Sequence, residues 1–239
     1  MSSSNPIYVA LDTPSLAQAS ALVMSLKPFI GGIKVGLEFV SANGPAGVRA
    51  MVATGVPVFL DVKLHDIPNT VSGAMKALAP LGAAIVNVHA SGGAVMMRAA
   101  ADAARSVPNA SKVIAVTVLT SLEAQDLATM GIAGTPLEQV VRLARLTKES
   151  GLDGVVCSPH EIAAVRAACG RDFLIVTPGV RPLLGASDDQ KRIMTPKRAL
   201  ELGADYLVIG RPITAAADPV QAAKQIAAEL APLDRRNLI

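Results

Sequence analysis

The sequence predicts a (β/α)8 barrel, a closed ring of parallel strands with helices outside, as a single domain over residues 1–239. Short β-branched runs alternate eight times with longer segments of helical periodicity. The apolar runs, such as residues 113–118, are nearly continuous, as expected of parallel strands that are covered on both faces. The length of 239 residues lies close to the ~250 residues that are typical of such a barrel.

The elements follow one another in strict alternation. The predicted strands are residues 7–12, 32–39, 57–63, 84–90, 112–120, 154–158, 173–177 and 206–210. The predicted helices are residues 15–27, 45–54, 68–79, 94–106, 137–150, 159–168, 196–202 and 219–230. Polar residues followed by proline mark several helix starts, and Gly151, Gly170 and Gly203 follow helix ends.

The competing fold is an open, doubly wound sheet. Such a sheet usually carries a glycine-rich dinucleotide turn after its first strand. Residues 10–14 read Ala-Leu-Asp-Thr-Pro and contain no glycine. The sequence therefore favours the barrel, with no linker inside the chain.

Composition excludes several classes of protein. Apolar residues make up 51% and charged residues 17% of the chain, which argues against disorder. Aromatic residues make up 3% and the net charge is +3, which argues against a nucleic-acid surface. Cys157 and Cys169 lie in apolar stretches and are expected to be reduced thiols. Residues 1–6 show no signal peptide and no apolar run reaches membrane-span length, so we expect a cytoplasmic protein without membrane or nucleic-acid partners.

Charged residues converge where the first three predicted strands end. Asp61 and Lys63 alternate with apolar residues on the third strand, so both face the barrel interior. Lys34 lies at a matching height on the second strand, Asp12 closes the first, and Asp66 follows the third. A buried ion pair that closes the top of the barrel is the structural alternative. The sequence favours a catalytic cluster, because such groups are where shifted pKa values are found.

A phosphate site is predicted on the other side of the barrel mouth. Strand seven ends in Pro178 with Arg181 beyond it, and strand eight ends in Gly210 and Arg211. Loops after strands seven and eight usually form the phosphate sites of such barrels, since glycine admits backbone N–H groups and arginine supplies a bidentate donor. A surface arginine after a turn is the alternative interpretation.

Two long connections, residues 120–135 and 179–195, follow strand ends and are expected to act as lids. The three histidines, His65, His89 and His160, have no metal-ligand spacing. The spacing therefore gives no support for a metal site, and we expect a packing or hydrogen-bonding role for His89.

The string Asp61-x-Lys63-x-x-Asp66-Ile67-x-x-Thr70 resembles the signature of the orotidine 5′-monophosphate decarboxylase family. The similarity extends through residues 10–12, 34–36, 89–93, 120, 178–181, 190 and 210–214. The third-strand motif also occurs in a wider superfamily of sugar-phosphate decarboxylases and synthases. Its combination with Lys34, Gln190, Gly210 and Arg211 is more specific to the decarboxylase family.

The resemblance implies cofactor-free removal of CO2 from orotidine 5′-monophosphate, giving uridine 5′-monophosphate in the last step of pyrimidine nucleotide synthesis. It implies that Lys63 is the proton donor, held by Asp61 and by the partner's Asp66, with Lys34 completing the row. It also implies a homodimer in which Asp66, Ile67 and Thr70 reach into the neighbouring site. The implied substrate-binding residues are Asp12, Lys34, Asp61, Ile67, Thr70, Thr120, Pro178, Arg181, Gln190, Gly210 and Arg211.

Two alternative functions are weighed against this one. One is a Mg²⁺-dependent decarboxylase or synthase of the same superfamily, which uses an acid from strand two as a metal ligand. Lys34 occupies that region here and would repel the metal. The other is a non-catalytic phosphate-binding barrel, which has no need for a row of charges.

Overall fold

Eight parallel strands form a closed barrel in sequence order in the computed structural model, which describes residues 5–108, 110–182 and 194–231. The last strand pairs with the first and closes the ring. The strands are β1 (Ile7–Leu11), β2 (Gly32–Gly36), β3 (Val58–Leu64), β4 (Ile85–His89), β5 (Lys112–Val116), β6 (Gly154–Val156), β7 (Leu174–Pro178) and β8 (Tyr206–Ile209). The predicted (β/α)8 barrel is confirmed.

Helices follow each strand and cover the outside of the barrel. They are α1 (Leu16–Leu26), α2 (Leu37–Val52), α3 (Pro68–Leu78), α4 (Gly93–Arg105), α5 (Ala124–Thr129), α6 (Pro136–Glu149), α7 (Ile162–Cys169), α8 (Pro196–Glu201), α9 (Arg211–Thr214) and α10 (Pro219–Leu230). Short 3-10 turns cover Lys27–Phe29, Ala79–Leu81, Ala90–Gly92 and Pro159–Glu161.

The boundary between β2 and α2 differs from the prediction. The apolar residues after Gly36 were expected to continue the strand to residue 39, but α2 begins at Leu37 and Phe39 is fully buried in it. The helix is interrupted at Gly44, whose φ of 59° is left-handed, directly before Pro45. The predicted helix of residues 45–54 is therefore the second half of a longer, kinked helix.

The connection after β5 also differs from the prediction. The strand was expected to run to residue 120, but it ends at Val116. Thr117 still donates its backbone N–H and its hydroxyl to the carbonyl of Val156, after which the chain leaves the sheet. The expected loop contains α5, which begins with a reciprocal capping box between Glu123 and Asp126. α9 is a further short helix that was not predicted.

The inside of the barrel holds the few aromatic residues of the strands. Tyr8 and Tyr206 lie near the amino-terminal ends of β1 and β8, and their ring centroids are 4.9 Å apart. Gly32 faces Tyr8 across β1 and β2, and a Cβ there would lie 2.3 Å from the ring. Glycine at this position therefore lets the ring fill the bottom of the barrel. The remaining members of this inner layer are Ala10, Phe59, Ile85, Ile114, Val176 and Val208.

A larger aliphatic layer lies between the strands and the helices. Small and branched side chains dominate it, which accounts for a core with few rings. Arg166 of α7 is buried in this layer and donates to carbonyl oxygens and to the Asp205 carboxylate at 2.8 Å. Cys157 and Cys169 are buried free thiols, as predicted. Among the residues described, no helix is long and apolar enough to cross a membrane.

Candidate active site

Four charged side chains form a continuous row across the carboxyl ends of β1, β2 and β3. The Lys34 Nζ lies 3.3 Å from Asp12 Oδ1 and 3.3 Å from Asp61 Oδ2. The Lys63 Nζ lies 2.7 Å from Asp61 Oδ1. Parallel strands of a closed barrel bring these residues together although they are distant in sequence. The signs of charge alternate along the row, so each cation lies beside at least one carboxylate.

Asp61 is the most enclosed member of the row, with 8% of its surface exposed. Its Oδ1 accepts hydrogen bonds from the Lys63 ammonium and from Asn87 Nδ2, each at 2.7 Å. Burial raises the pKa of the Asp61 carboxyl, but the charge of Lys34 and the hydrogen bonds from Lys63 and Asn87 outweigh it and hold the pKa below its ordinary value. The carboxylate is therefore ionised at neutral pH.

Lys63 is held in an unusual backbone conformation. Its φ is 50°, and within residues 5–108, 110–182 and 194–231 no other non-glycine residue has a positive φ. The pairing of β3 with β4 shifts in register between Leu60 and Leu64. The Lys63 backbone N–H donates to Asn87 Oδ1 at 2.8 Å instead of joining the strand ladder.

Asn87 was not among the residues that the sequence analysis selected. Its side chain is fully buried on β4 and contacts both Asp61 and Lys63. One signal in the sequence could have identified it, because an amide in an apolar strand run needs buried hydrogen-bond partners.

A cavity of about 210 Å³ opens beside the row of charges. Both charged and apolar side chains line it. Its lining residues are Lys34, Phe59, Asp61, Lys63, Val116, Val118, Leu119, Thr120, Val156, Cys157, Pro178 and Val208. Burial raises the pKa of the Cys157 thiol, so the group is uncharged in this wall. The predicted residues Thr120 and Pro178 thus lie at the same cavity as Asp61 and Lys63.

The predicted phosphate residues lie at the ends of β7 and β8. Gly210 precedes α9, and a Cβ on it would lie 3.5 Å from Ala10 and 3.9 Å from Asp12 Oδ2, so β8 ends beside β1. Arg211 and Arg181 are both exposed, and the Arg181 backbone N–H donates to the carbonyl of Met194. Gln190 lies outside the described residues.

Asp66, Ile67 and Thr70 do not line the cavity of their own chain. All three are exposed, and Ile67 exposes 67% of its surface. Asp66 Oδ1 accepts from the backbone N–H of Ile67 at 2.6 Å.

Two histidines pack beside the row of charges. The rings of His65 and His89 stack with centroids 5.5 Å apart, and His89 Nδ1 lies 2.8 Å from Ser91 Oγ. Burial lowers the pKa of His89, and the neighbouring His65 and Lys63 lower it further, which favours the neutral ring. The part of the chain that the structure describes contains no group of three acidic, histidine or cysteine side chains arranged to hold a metal ion.

Comparisons with known proteins identify the family of this chain. The family model described as "Orotidine 5′-phosphate decarboxylase / HUMPS family" matches residues 5–226. The chain belongs to this family. The barrel described above, with its row of charges from Asp12 to Lys63, is therefore that of a member of this family.

Relatives in this family match over nearly their whole length. Orotidine 5′-phosphate decarboxylase of Paramagnetospirillum magneticum is 55% identical over 233 residues, which cover 95% of this chain and 98% of the relative. The protein of the same name from Rhodospirillum rubrum is 54% identical over 232 residues, with 95% and 94% covered. The crystal structure of the Lactobacillus acidophilus decarboxylase superposes with a TM-score of 0.84 at 39% identity, covering 94% of this chain and 98% of that one.

Proposed function

We propose that this chain is a carboxy-lyase that converts orotidine 5′-monophosphate to uridine 5′-monophosphate and CO2 in pyrimidine nucleotide synthesis, without a cofactor. Residues 1–239 would act as one catalytic domain in the cytoplasm. The observation that carries the proposal is the Lys63 ammonium, which reaches the cavity while hydrogen-bonded to the ionised Asp61. Relatives named for this activity match nearly the full length of the chain.

The chemistry requires a proton donor at the carbon that loses CO2. The bond between C6 and the carboxylate breaks, the electron pair stays on C6, and a proton from the Lys63 ammonium takes the place of the carboxylate. The neutral amine then regains a proton from water. Before proton transfer, the ammonium stabilises the developing negative charge, and Asp61 orients the ammonium. Lys34 fixes Asp61 from its other side at 3.3 Å.

Substrate binding divides between the two sides of the barrel mouth. We assign the ribose hydroxyl groups to Asp12 and Lys34, which form an ion pair on β1 and β2. We assign contact with the base to Thr120. The phosphate would bind at Arg181, Gly210 and Arg211, with Gln190 bridging base and phosphate. The remaining binding residues in this proposal are Asp61, Ile67, Thr70 and Pro178.

We propose a homodimer in which Asp66, Ile67 and Thr70 complete the neighbouring site. Their exposure supports this, because all three side chains are accessible to a second copy of the chain. Asp66 would then provide a second carboxylate for the partner's Lys63. The measurement is sedimentation equilibrium, in which a monomer at micromolar concentration would contradict the dimer.

Mg²⁺-dependent sugar-phosphate chemistry is the second candidate, since the family model covers both branches. Lys34 argues against it. Its ammonium lies between the carboxylates of Asp12 and Asp61, where it would repel a divalent cation bound by the same oxygens.

The test is the loss of the ultraviolet absorbance of orotidine 5′-monophosphate when it is mixed with the protein and a chelator. We expect complete conversion at micromolar enzyme, and an unchanged spectrum would refute the assignment. Lys63→Ala should abolish turnover but retain binding of uridine 5′-monophosphate in calorimetry. Lys224→Ala, which removes an exposed lysine of α10, is the matched control and should turn over normally.

A further inference from the structure

The pairing of β3 with β4 is irregular at the catalytic lysine. Leu60 pairs with Val86, and the next pair is Leu64 with Val88. Three residues of β3 therefore lie opposite a single residue of β4, which is Asn87. A bulge of this kind re-aims side chains at the rim of a barrel, but it also removes ladder hydrogen bonds that the backbone groups need.

The Asn87 side chain takes the place of the missing ladder contacts. Its Oδ1 accepts from the Lys63 backbone N–H at 2.8 Å, and its Nδ2 donates to Asp61 Oδ1 at 2.7 Å. The orientation of the amide is fixed by chemistry, because an N–H can only donate and an ionised carboxylate can only accept. Asn87 has no exposed surface, and its bond to Asp61 is buried.

One of these bonds holds the Lys63 backbone, and the other holds the carboxylate oxygen that the Lys63 ammonium contacts. The bond to the backbone stabilises a left-handed conformation that a residue with a Cβ rarely adopts. The bond to Asp61 holds the oxygen that also accepts from the Lys63 ammonium. Asn87 thus fixes both the Cα from which the lysine side chain starts and the acceptor at which it ends.

We propose that Asn87 is a positioning residue for the Lys63 ammonium, a role that rests on the proposed function of Lys63 as proton donor. Asn87 is not among the residues that line the cavity, so it acts through Lys63 and Asp61 and not on the substrate. Its loss should lower the rate of the chemical step and leave substrate binding almost unchanged.

The first test is steady-state kinetics of Asn87→Val, which replaces the amide by an apolar side chain and removes both hydrogen bonds. We expect kcat to fall about tenfold to hundredfold with KM changed less than about threefold, the range expected when a buried hydrogen bond to a charged group is lost. Ser111→Ala is the matched control. Ser111 directly precedes β5 and does not line the cavity, and the substitution removes a buried hydrogen bond of 2.6 Å from its hydroxyl to the carbonyl of Ala83. Equal kcat values for the two variants would overturn the proposal.

The second test is the pH profile of Asn87→Asp, which keeps the shape of the side chain. The charged groups facing this position are Asp61 and Lys63 of β3, and its partner on β5 is the apolar Ile114. When protonated, the new carboxyl can still donate to Asp61; when ionised, it repels that carboxylate. We expect kcat to drop at least about tenfold as pH rises through this extra ionisation. A profile identical to wild type would overturn the proposal.

Amide hydrogen exchange separates this inference from the proposed function. The Lys63 backbone N–H should exchange at least about tenfold faster in Asn87→Val than in wild type, because its acceptor is gone. In Asn87→Asp it should stay protected. If wild-type protein failed to convert the nucleotide, the proposed function would fail, whereas unchanged exchange at Lys63 would refute the role of Asn87.

Discussion

Replacing Asp61 by asparagine removes the negative charge that lies between two ammonium groups. At an effective dielectric constant of 20, the separations of 3.3 Å to Lys34 and 2.7 Å to Lys63 correspond to about 5 and about 6 kcal/mol of attraction. Desolvation of the three groups offsets part of this attraction. Breaking a buried charge pair by removing one partner typically costs about 3–5 kcal/mol, and we expect Asp61→Asn to lose about 3 kcal/mol of unfolding free energy near pH 7.

The loss should depend on pH in a definite direction. The folded-state pKa of Asp61 lies below its ordinary value, so its contribution is present above the unfolded pKa. The contribution disappears as pH falls through the folded pKa. The difference in stability between wild type and Asp61→Asn should therefore be largest near pH 7 and shrink towards about pH 3.

Urea denaturation at both pH values measures this difference. Asp102→Asn is the control, since Asp102 is exposed on α4 and lies 3.8 Å from Arg105, where an ion pair contributes less than about 1 kcal/mol. A loss for Asp61→Asn no larger than that of the control would refute the reasoning. A loss that is equal at neutral and acidic pH would assign the effect to packing and not to charge.

Two further substitutions test other parts of the molecule. Arg211→Ala should raise the Kd of the phosphorylated nucleotide by about tenfold to hundredfold, because charge-assisted hydrogen bonds are lost, and should change the Kd of the unphosphorylated nucleoside little. Arg145→Ala on α6 is the control. An equal rise in Kd for nucleotide and nucleoside would show that Arg211 has a structural role. Gly32→Ala should lower the unfolding free energy by about 3 kcal/mol, because the new Cβ would lie 2.3 Å from the Tyr8 ring. A thermal melt measures it, and an unchanged midpoint would show that the ring moves at little cost.

The barrel and its row of charges could be derived from the sequence because both follow from strand order. Apolar runs set the strands, and the carboxyl ends of neighbouring parallel strands meet at one edge. Asp12, Lys34 and Asp61 close or approach the ends of β1, β2 and β3, so their convergence needs no knowledge of side-chain packing.

The irregular parts could not be derived in the same way. Alternation along β3 predicts that Lys63 and Asp61 share a face, but the lysine reaches Asp61 through a bulge with a left-handed residue. A bulge depends on a partner from another strand, here Asn87, and periodicity within one strand carries no such information. The early start of α2 at Leu37 has a similar origin, because Phe39 is as well buried on a helix as on a strand.

The tyrosine pair at the amino-terminal end of the barrel determines the side on which ligands enter and leave. Tyr8 and Tyr206, with the apolar layer above them, fill the interior below the row of charges. Ligands must then enter and leave on the side where Arg211 lies. A nucleotide would enter with its base first and its phosphate last, and the CO2 formed at Lys63 would leave through the same opening. In the proposed reaction, CO2 and the nucleotide product would therefore share one exit, at the carboxyl ends of the strands.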